Sequence, residues 1–320
     1  MTAEKKSAHL VDPDLKKMTD ELQELHLTYQ TLTSVRLAFN EQVDTVTIMK
    51  DLPVTITEKR IPGPTDEPDV RVIIFTPTNA PAPRPGYLHI HGGGMVLRSA
   101  DVSNVDNAVL ANNLGCTVVS VDYRLAPETK HPGQVEDCYA ALKWMHGNAH
   151  GLGVDSNRVA IGGESAGGGI AAGLAVLVRD RGEVKIVFQR LQSPMLDDRT
   201  CVAEPHPYSG EYSWSIENNR FGWMALLGRE PGGEGVSPYA SAPRAEDLAG
   251  LPSTFISVGA LDLFIDECID FSKRLIRAGV PTELHVYPGA HHAAWQVPEA
   301  RVTIAENRDR LEALRRVFFD

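Results

Sequence analysis

From residue 87 onward, short apolar runs bounded by turn residues alternate with stretches of helical periodicity. The apolar runs fall at residues 87–91, 117–121, 158–162, 187–192, 254–259 and 283–287. Helical spacing occupies residues 102–114, 134–146, 166–181 and 267–278. Few architectures accept this order. A strand, a helix and a further strand connect most simply by a parallel crossover, so the pattern predicts a mostly parallel sheet with helices on both faces. Two earlier runs, residues 54–57 and 70–75, are separated by Ile61-Pro-Gly-Pro, which is turn chemistry. That connection is too short for a helix, so the two runs are expected to pair antiparallel. The total expectation is eight strands.

Three segments lie outside this repetition. Residues 12–43 carry leucines and a methionine at helical spacing (Leu15, Met18, Leu22, Leu25) and read as one or two amphipathic helices. About sixty residues between the runs near Leu191 and Phe255 contain no clear strand, and an insertion of that length in an α/β sheet is usually functional. Its middle, residues 215–227, has helical character. Residues 298–319 read as a charged closing helix. The organisation expected is a catalytic domain over residues 51–195 and 250–320. Residues 196–249 form a cap or lid, and N-terminal helices in residues 1–50 contribute to that cap.

Composition narrows the function classes. The chain has 320 residues, enough for a large core. With 31 Lys and Arg against 42 Asp and Glu, its net charge is −11, which argues against a nucleic-acid binder. The cysteines Cys116, Cys138, Cys201 and Cys268 are far apart and form no CxxC, so neither a zinc site nor a disulfide framework is expected. The first residues hold early lysines without an apolar core behind them. The longest weakly polar run, residues 167–178, is too short to span a bilayer. A soluble cytoplasmic protein with no membrane partner is the expectation.

Gly163-Glu164-Ser165-Ala166-Gly167 fits the G-x-S-x-G elbow, directly after one apolar run and directly before a helical one. A serine there sits on a sharp strand-to-helix turn at the C-terminal edge of the sheet, where ligands of open α/β sheets bind. A structural Gly-Ser turn is the bland alternative. His91-Gly92-Gly93-Gly94 ends another run. Acyl transfer needs N–H donors aimed at an oxyanion, and Gly92, Gly93 and Ala166 can supply them. No GK[ST] follows, which argues against a phosphate loop. His91 itself reads as structural. His89 and His91 share a strand face, but no third ligand stands at metal-site spacing.

A nucleophilic serine needs a base, and the base needs an orienting acid. The histidines after Ser165 are His206, His285, His291 and His292. His206 lies in the insertion, and His285 lies within a run where burial in the sheet is expected. His291 and His292 follow the last strand at the catalytic edge. Asp262 stands three residues after a strand and is the favoured acid, while Asp266 and Glu267 stand where the next helix begins and can cap it.

Taken together, the HGGG motif, Tyr123-Arg-Leu-Ala-Pro-Glu, GESAGG and Asp262-Leu-Phe-Ile-Asp-Glu resemble the hormone-sensitive-lipase family of α/β-hydrolases, in its GDSAG-type branch. The resemblance runs from about Pro53 to the C-terminus. It implies an α/β-hydrolase fold with a helical cap and carboxylic-ester hydrolysis through an acyl-enzyme, with no cofactor. Ser165 would be the nucleophile and Asp262 the acid. The family's Pro-Gly-x-x-His-Gly-Phe ending aligns with Pro288-Gly-Ala-His291-His292-Ala293-Ala294, which implies His292 as base. His291 stands where the family rarely has histidine, and alanines replace the Gly-Phe. Members acting on short acyl esters, bulky aryl or alkaloid acetates and terpene lactones are nearest in pattern. The family also implies a homodimer paired through the last strand. Trp214, Phe221, Trp223 and Trp295 are candidate pocket residues, with packing of the lid as their alternative. A lactonase, amidase or acyltransferase would use the same triad. A non-catalytic binding protein on this fold would predict a broken triad, whereas serine, aspartate and histidine are all present.

Overall fold

The computed structural model describes residues 5–40 and 52–320. The parts of the expected N-terminal unit at residues 1–4 and 41–50 lie outside the described residues. In chain order the strands are β1 (Val54–Ile61), β2 (Val70–Pro77), β3 (Arg84–Ile90), β4 (Thr117–Asp122), β5 (Val154–Glu164), β6 (Phe188–Gln192), β7 (Ser253–Gly259) and β8 (Thr282–Tyr287). The helices are α1 (Lys16–Glu21), α2 (Leu32–Asn40), α3 (Asn104–Leu114), α4 (Gly133–Gly147), the short α5 (Ala149–Leu152), α6 (Ala166–Arg181), α7 (Ile216–Leu227), α8 (Ile265–Arg277) and α9 (Arg301–Phe319).

All eight strands form one sheet in the order β1-β2-β4-β3-β5-β6-β7-β8. The β1–β2 and β2–β4 pairs are antiparallel and the remaining five are parallel. This is the mostly parallel eight-stranded sheet expected from the alternation, with the first two strands paired antiparallel. The order matters for function. From β3 the chain crosses outward to β4, then returns to the other side of β3 to form β5. Connections leaving β3 and β5 therefore diverge, which opens a crevice at the C-terminal ends of these two strands. Helix α6 runs back from that crevice and is buried along residues 166–178, as a helix apolar all round must be.

The N-terminal segment departs from its expected form. Leucine spacing predicts helix through residues 22–27, yet α1 ends at Glu21 and Leu22 is extended. Asn218 of α7 explains the difference. Its Oδ1 accepts from the Leu27 N–H at 2.9 Å, and its Nδ2 donates to the Leu25 carbonyl at 2.7 Å. These bonds replace two that a helix would have made, so tertiary capture overrides the local period.

The long insertion is fastened at both of its ends. Asp198, fully buried, accepts two bonds from Arg244 at 2.8 and 2.7 Å and a third from the Gly232 N–H at 2.7 Å. Glu211 takes the N-terminal segment, accepting from the N–H groups of Lys6 and Ser7 at 3.0 and 2.8 Å and from the Ser7 hydroxyl at 2.5 Å. Ser215 caps α7 by accepting from Asn218. All four cysteines are free thiols.

Candidate active site

Ser165 follows β5 without an intervening residue and precedes α6. Its backbone sits at φ 54 and ψ −122, a strained conformation for a residue with a side chain. Surrounding bonds fix it there. The Ser165 N–H donates to the Gln192 carbonyl at 2.9 Å, and the Ser165 carbonyl accepts from Met195 at 2.9 Å and Gly169 at 3.1 Å. Glycine is required on both sides because the turn presses against β3. A Cβ on Gly163 or Gly167 would lie 2.1 or 2.0 Å from the Ile90 carbonyl oxygen.

Three strand ends bring the candidate residues together. His292 Nε2 lies 3.0 Å from Ser165 Oγ, and His292 Nδ1 lies 2.9 Å from Asp262 Oδ2. The second Asp262 oxygen accepts from the Phe264 N–H at 3.0 Å, so the carboxylate is held at both oxygens. Asp262 is fully buried, while Ser165 and His292 are 6% and 5% exposed. The other acids and histidines separate from this line. Asp266 is exposed in the first turn of α8. Glu267 is buried and accepts from the Leu196 N–H at 2.6 Å and from the Thr200 hydroxyl. Burial pushes its carboxyl well above the usual range, and its two accepted bonds hold the loop after β6. His206 accepts from Tyr208 within the insertion. His285 differs from its expected burial. Strand β8 is the sheet's edge, and the ring is partly exposed between Glu283 at 2.6 Å and Asp309 at 3.3 Å.

The glycine loop after β3 lies against the serine. A Cβ on Gly92 would meet the Glu164 carbonyl at 2.9 Å and Ser165 Cβ at 3.4 Å. Among the described residues, the N–H groups of Gly92, Gly93 and Ala166 donate to no other group. Such free donors at a helix N-terminus suit developing negative charge. His91 supports the loop as a structural residue. Its ring stacks on Tyr123 with centroids 4.2 Å apart, and its Nδ1 bonds the Gly92 carbonyl at 2.8 Å. The Tyr123 hydroxyl donates to the His91 carbonyl at 2.9 Å. Burial pushes the His91 imidazole down to about 4, so the ring is neutral at pH 7. Arg124 grips the buried Asp137 through Nε and Nη2 at 2.9 and 2.8 Å. Both residues of Tyr123-Arg124 are thus parts of a network at the sheet edge.

Beneath the serine lies a polar network centred on Glu164. Glu164 accepts from Arg190 Nη2 at 2.6 Å and from His89 Nε2 at 3.1 Å. Arg190 also donates to the Tyr87 hydroxyl at 2.9 Å and to Gln192 at 3.0 Å. On the far side of the His89 ring, Nδ1 meets Ser120 at 3.0 Å and Asn107 at 3.1 Å. His89 is therefore engaged at both ring nitrogens in a network and is not poised for a metal. Burial on its own would raise the Glu164 carboxyl. The neighbouring His89 ring, and then the Arg190 guanidinium, reverse that and hold it well below the usual carboxylate range.

Four aromatic residues were candidates for the pocket. Trp295 stands edge-on to the His292 ring, with centroids 5.2 Å apart, and Phe264 does the same from the other element at 5.2 Å. Trp214 lies 6.5 Å from the His292 ring and covers the glycine loop, where a Cβ on Gly94 would strike its ring at 2.3 Å. Phe221 packs edge-on against Tyr29 of the N-terminal segment. Trp223 is fully enclosed in the main apolar cluster and presents no open face. A cleft of about 430 Å³ lies between residues 22–26 of the N-terminal segment and the insertion, where Tyr212, Ser213, Ser215 and Asn218 line it. No group of three or more metal-ligating side chains occurs among the described residues.

With this geometry in view, likeness to known proteins is informative. Residues 87–296 match the model of a family described as having the alpha/beta hydrolase fold. The chain belongs to this family. The esterase LipI of Mycobacterium tuberculosis is 33% identical over 89% of this chain and 87% of its own length. The carboxylesterase NlhH of the same species is 32% identical over 88% of each chain. Among solved structures, a bacterial heroin esterase superposes with a TM-score of 0.91 at 37% identity, covering 98% of this chain and all of the other. The esterase LipW from Mycobacterium marinum gives 0.88 at 31% identity, with 99% of each chain covered.

Proposed function

We propose that the protein is a carboxylic-ester hydrolase of the hormone-sensitive-lipase branch, acting through an acyl-enzyme on Ser165. The observation that carries this reading is the unbroken line Ser165 Oγ, His292, Asp262, with bonds of 3.0 and 2.9 Å. Esterase relatives that match nearly the whole chain support the class of reaction.

The chemistry follows from the positions. Asp262 accepts a hydrogen bond from the His292 Nδ1–H, which leaves the Nε2 lone pair facing the serine. As Ser165 Oγ attacks the ester carbonyl, its proton passes to Nε2. The carbonyl oxygen takes up negative charge and is met by the N–H groups of Gly92, Gly93 and Ala166. Loss of one such donor costs roughly 3 kcal/mol of barrier. Collapse of the tetrahedral intermediate expels the alcohol, which takes the proton from His292. Water then attacks the acyl-serine, giving its proton to His292, and the acid leaves as Ser165 is reprotonated. The atoms balance with ester and water alone, so no cofactor is required.

The recessed serine and the Trp214 ring over Gly94 favour short acyl groups or bulky alcohols over long chains. The N-terminal helices and residues 196–249 act as the cap. Trp214 and Trp295 border the reacting centre, whereas Phe221 and Trp223 stabilise the cap. A homodimer through the β8 edge fits the exposure of Val286 on that strand and of Ile269 and Ile276 on α8. A reducing, cytoplasmic location fits the four free thiols. No helix among the described residues is long and apolar enough to cross a membrane.

A p-nitrophenyl ester series from acetate to dodecanoate tests the reading. We expect kcat/KM to peak at acetate or butyrate and to fall at least about tenfold by dodecanoate, because the Trp214 ring over the glycine loop limits room beside the recessed serine. A rise towards dodecanoate would contradict the short-acyl assignment. A folded protein inert on every ester would sink the esterase itself.

A further inference from the structure

The structure assigns to His291 the role of a positioning residue that ties the N-terminal segment to the backbone of the base His292. The inference rests on the triad reading above, and it explains a residue that the family pattern leaves unexplained.

His291 is 1% exposed and is where three segments meet. Its Nδ1 lies 2.9 Å from the His292 carbonyl oxygen and 3.3 Å from Ser213 Oγ of the insertion. Nε2, on the other side of the ring, lies 3.0 Å from the hydroxyl of Thr19 on α1. Tyr212 packs against the ring with centroids 5.2 Å apart. Proton placement follows from the partners. A carbonyl only accepts, so the Nδ1 facing His292 carries the proton. Burial disfavours the charged ring, so Nε2 is left with its lone pair. The Thr19 hydroxyl, which donates to the Leu15 carbonyl, faces that lone pair at 3.0 Å and can share its proton with it. The same hydroxyl lies 2.8 Å from the Leu15 carbonyl, and its single proton serves one acceptor at a time.

The bond to the His292 carbonyl has a specific use. That carbonyl belongs to the peptide leading into Ala293, which sits in the left-handed region at φ 66. Glycine adopts this conformation freely, whereas alanine is strained there. In the family ending this position is glycine, so the two departures, His291 and Ala293, adjoin the same peptide. His291 clamps that peptide from one side, and Thr19 and Ser213 hold His291. Docking of the N-terminal segment and insertion is thereby transmitted to the orientation of the base. An error of about 1 Å in placing such a group costs up to about 100-fold in rate.

The test compares His291→Phe, His291→Asn and Thr19→Val on p-nitrophenyl butyrate, with Ser165→Ala in parallel. Asparagine keeps a donor near the Nδ1 position, whereas phenylalanine has none. We expect His291→Phe to lower kcat about 10- to 100-fold with KM within threefold of wild type. His291→Asn is expected to recover to within about fivefold. Thr19→Val should lower kcat several-fold alone and add nothing in combination with His291→Phe. A kcat within twofold of wild type in a folded His291→Phe protein overturns the inference. So does an asparagine variant no better than phenylalanine. If His291→Phe does not fold, Thr19→Val on the half-buried α1 decides, and an unchanged kcat there overturns the inference. Activity that survives in Ser165→Ala sinks the triad reading and this inference with it. Ser165 dependence without His291 dependence sinks this inference alone.

Discussion

Asp262→Asn is expected to lower kcat about 10⁴-fold while leaving the fold and KM nearly unchanged. The cause is a tautomer. Asp262 Oδ1 accepts from the Phe264 N–H at 3.0 Å, and Oδ2 faces His292 Nδ1 at 2.9 Å. An asparagine that keeps the first bond must turn its NH₂ towards His292. The ring nitrogen there then has to accept, which moves the imidazole proton to Nε2. That nitrogen faces Ser165 and can no longer take its proton. Steady-state kinetics beside circular dichroism checks this. Asp266→Asn serves as the control, because that side chain is exposed on α8 and should retain full activity. A loss of less than tenfold in Asp262→Asn would remove Asp262 from the mechanism.

The second large effect concerns stability. Arg190→Met should destabilise the protein by about 3 kcal/mol at pH 7, because it removes the buried partner of the partly buried Glu164. It also strips donors from Tyr87 and Gln192. The sign with pH is fixed by the carboxyl. Glu164 is held below its ordinary value of 4.5 in the folded protein. Its pairing therefore contributes above that pH and is lost as pH falls through the folded value. The deficit of Arg190→Met is accordingly full at pH 7 and shrinks below about 4.5. Urea unfolding at pH 7 and pH 4 measures both. A deficit under 1 kcal/mol at pH 7, or one that grows in acid, would show that Glu164 does not depend on Arg190.

Much of this arrangement is legible in the sequence because two periods carry it. Apolar runs of strand length alternate with helical spacing, and a parallel sheet is the simple way to satisfy both. The elbow is legible because its context is local: the strand, the Gly-x-Ser-x-Gly and the helix are contiguous. What escaped was set by contacts distant in sequence. Leu22 and Leu25 keep helical spacing but lie outside any helix, since Asn218 bonds the backbone at Leu25 and Leu27. No local pattern announces that grip. His285 looked buried because strand order is not written in strand composition, and β8 proves to be an edge. The Glu164 network did leave a trace. Tyr87 and His89 on β3, with Arg190 and Gln192 on β6, place polar groups at alternate positions of apolar strands. With β5 between β3 and β6, those positions converge on Glu164.

The nucleophile itself can be read directly. Incubation with an alkyl fluorophosphonate should form one covalent adduct, with the Ser165 oxygen bonded to phosphorus and fluoride released. Peptide mass spectrometry is expected to locate the adduct on Ser165 alone. Hydrolysis of p-nitrophenyl acetate should disappear in proportion to labelling, and Ser165→Ala should neither label nor hydrolyse. Ester hydrolysis that persists in fully labelled protein, or an adduct on another residue with Ser165 untouched, would contradict the account.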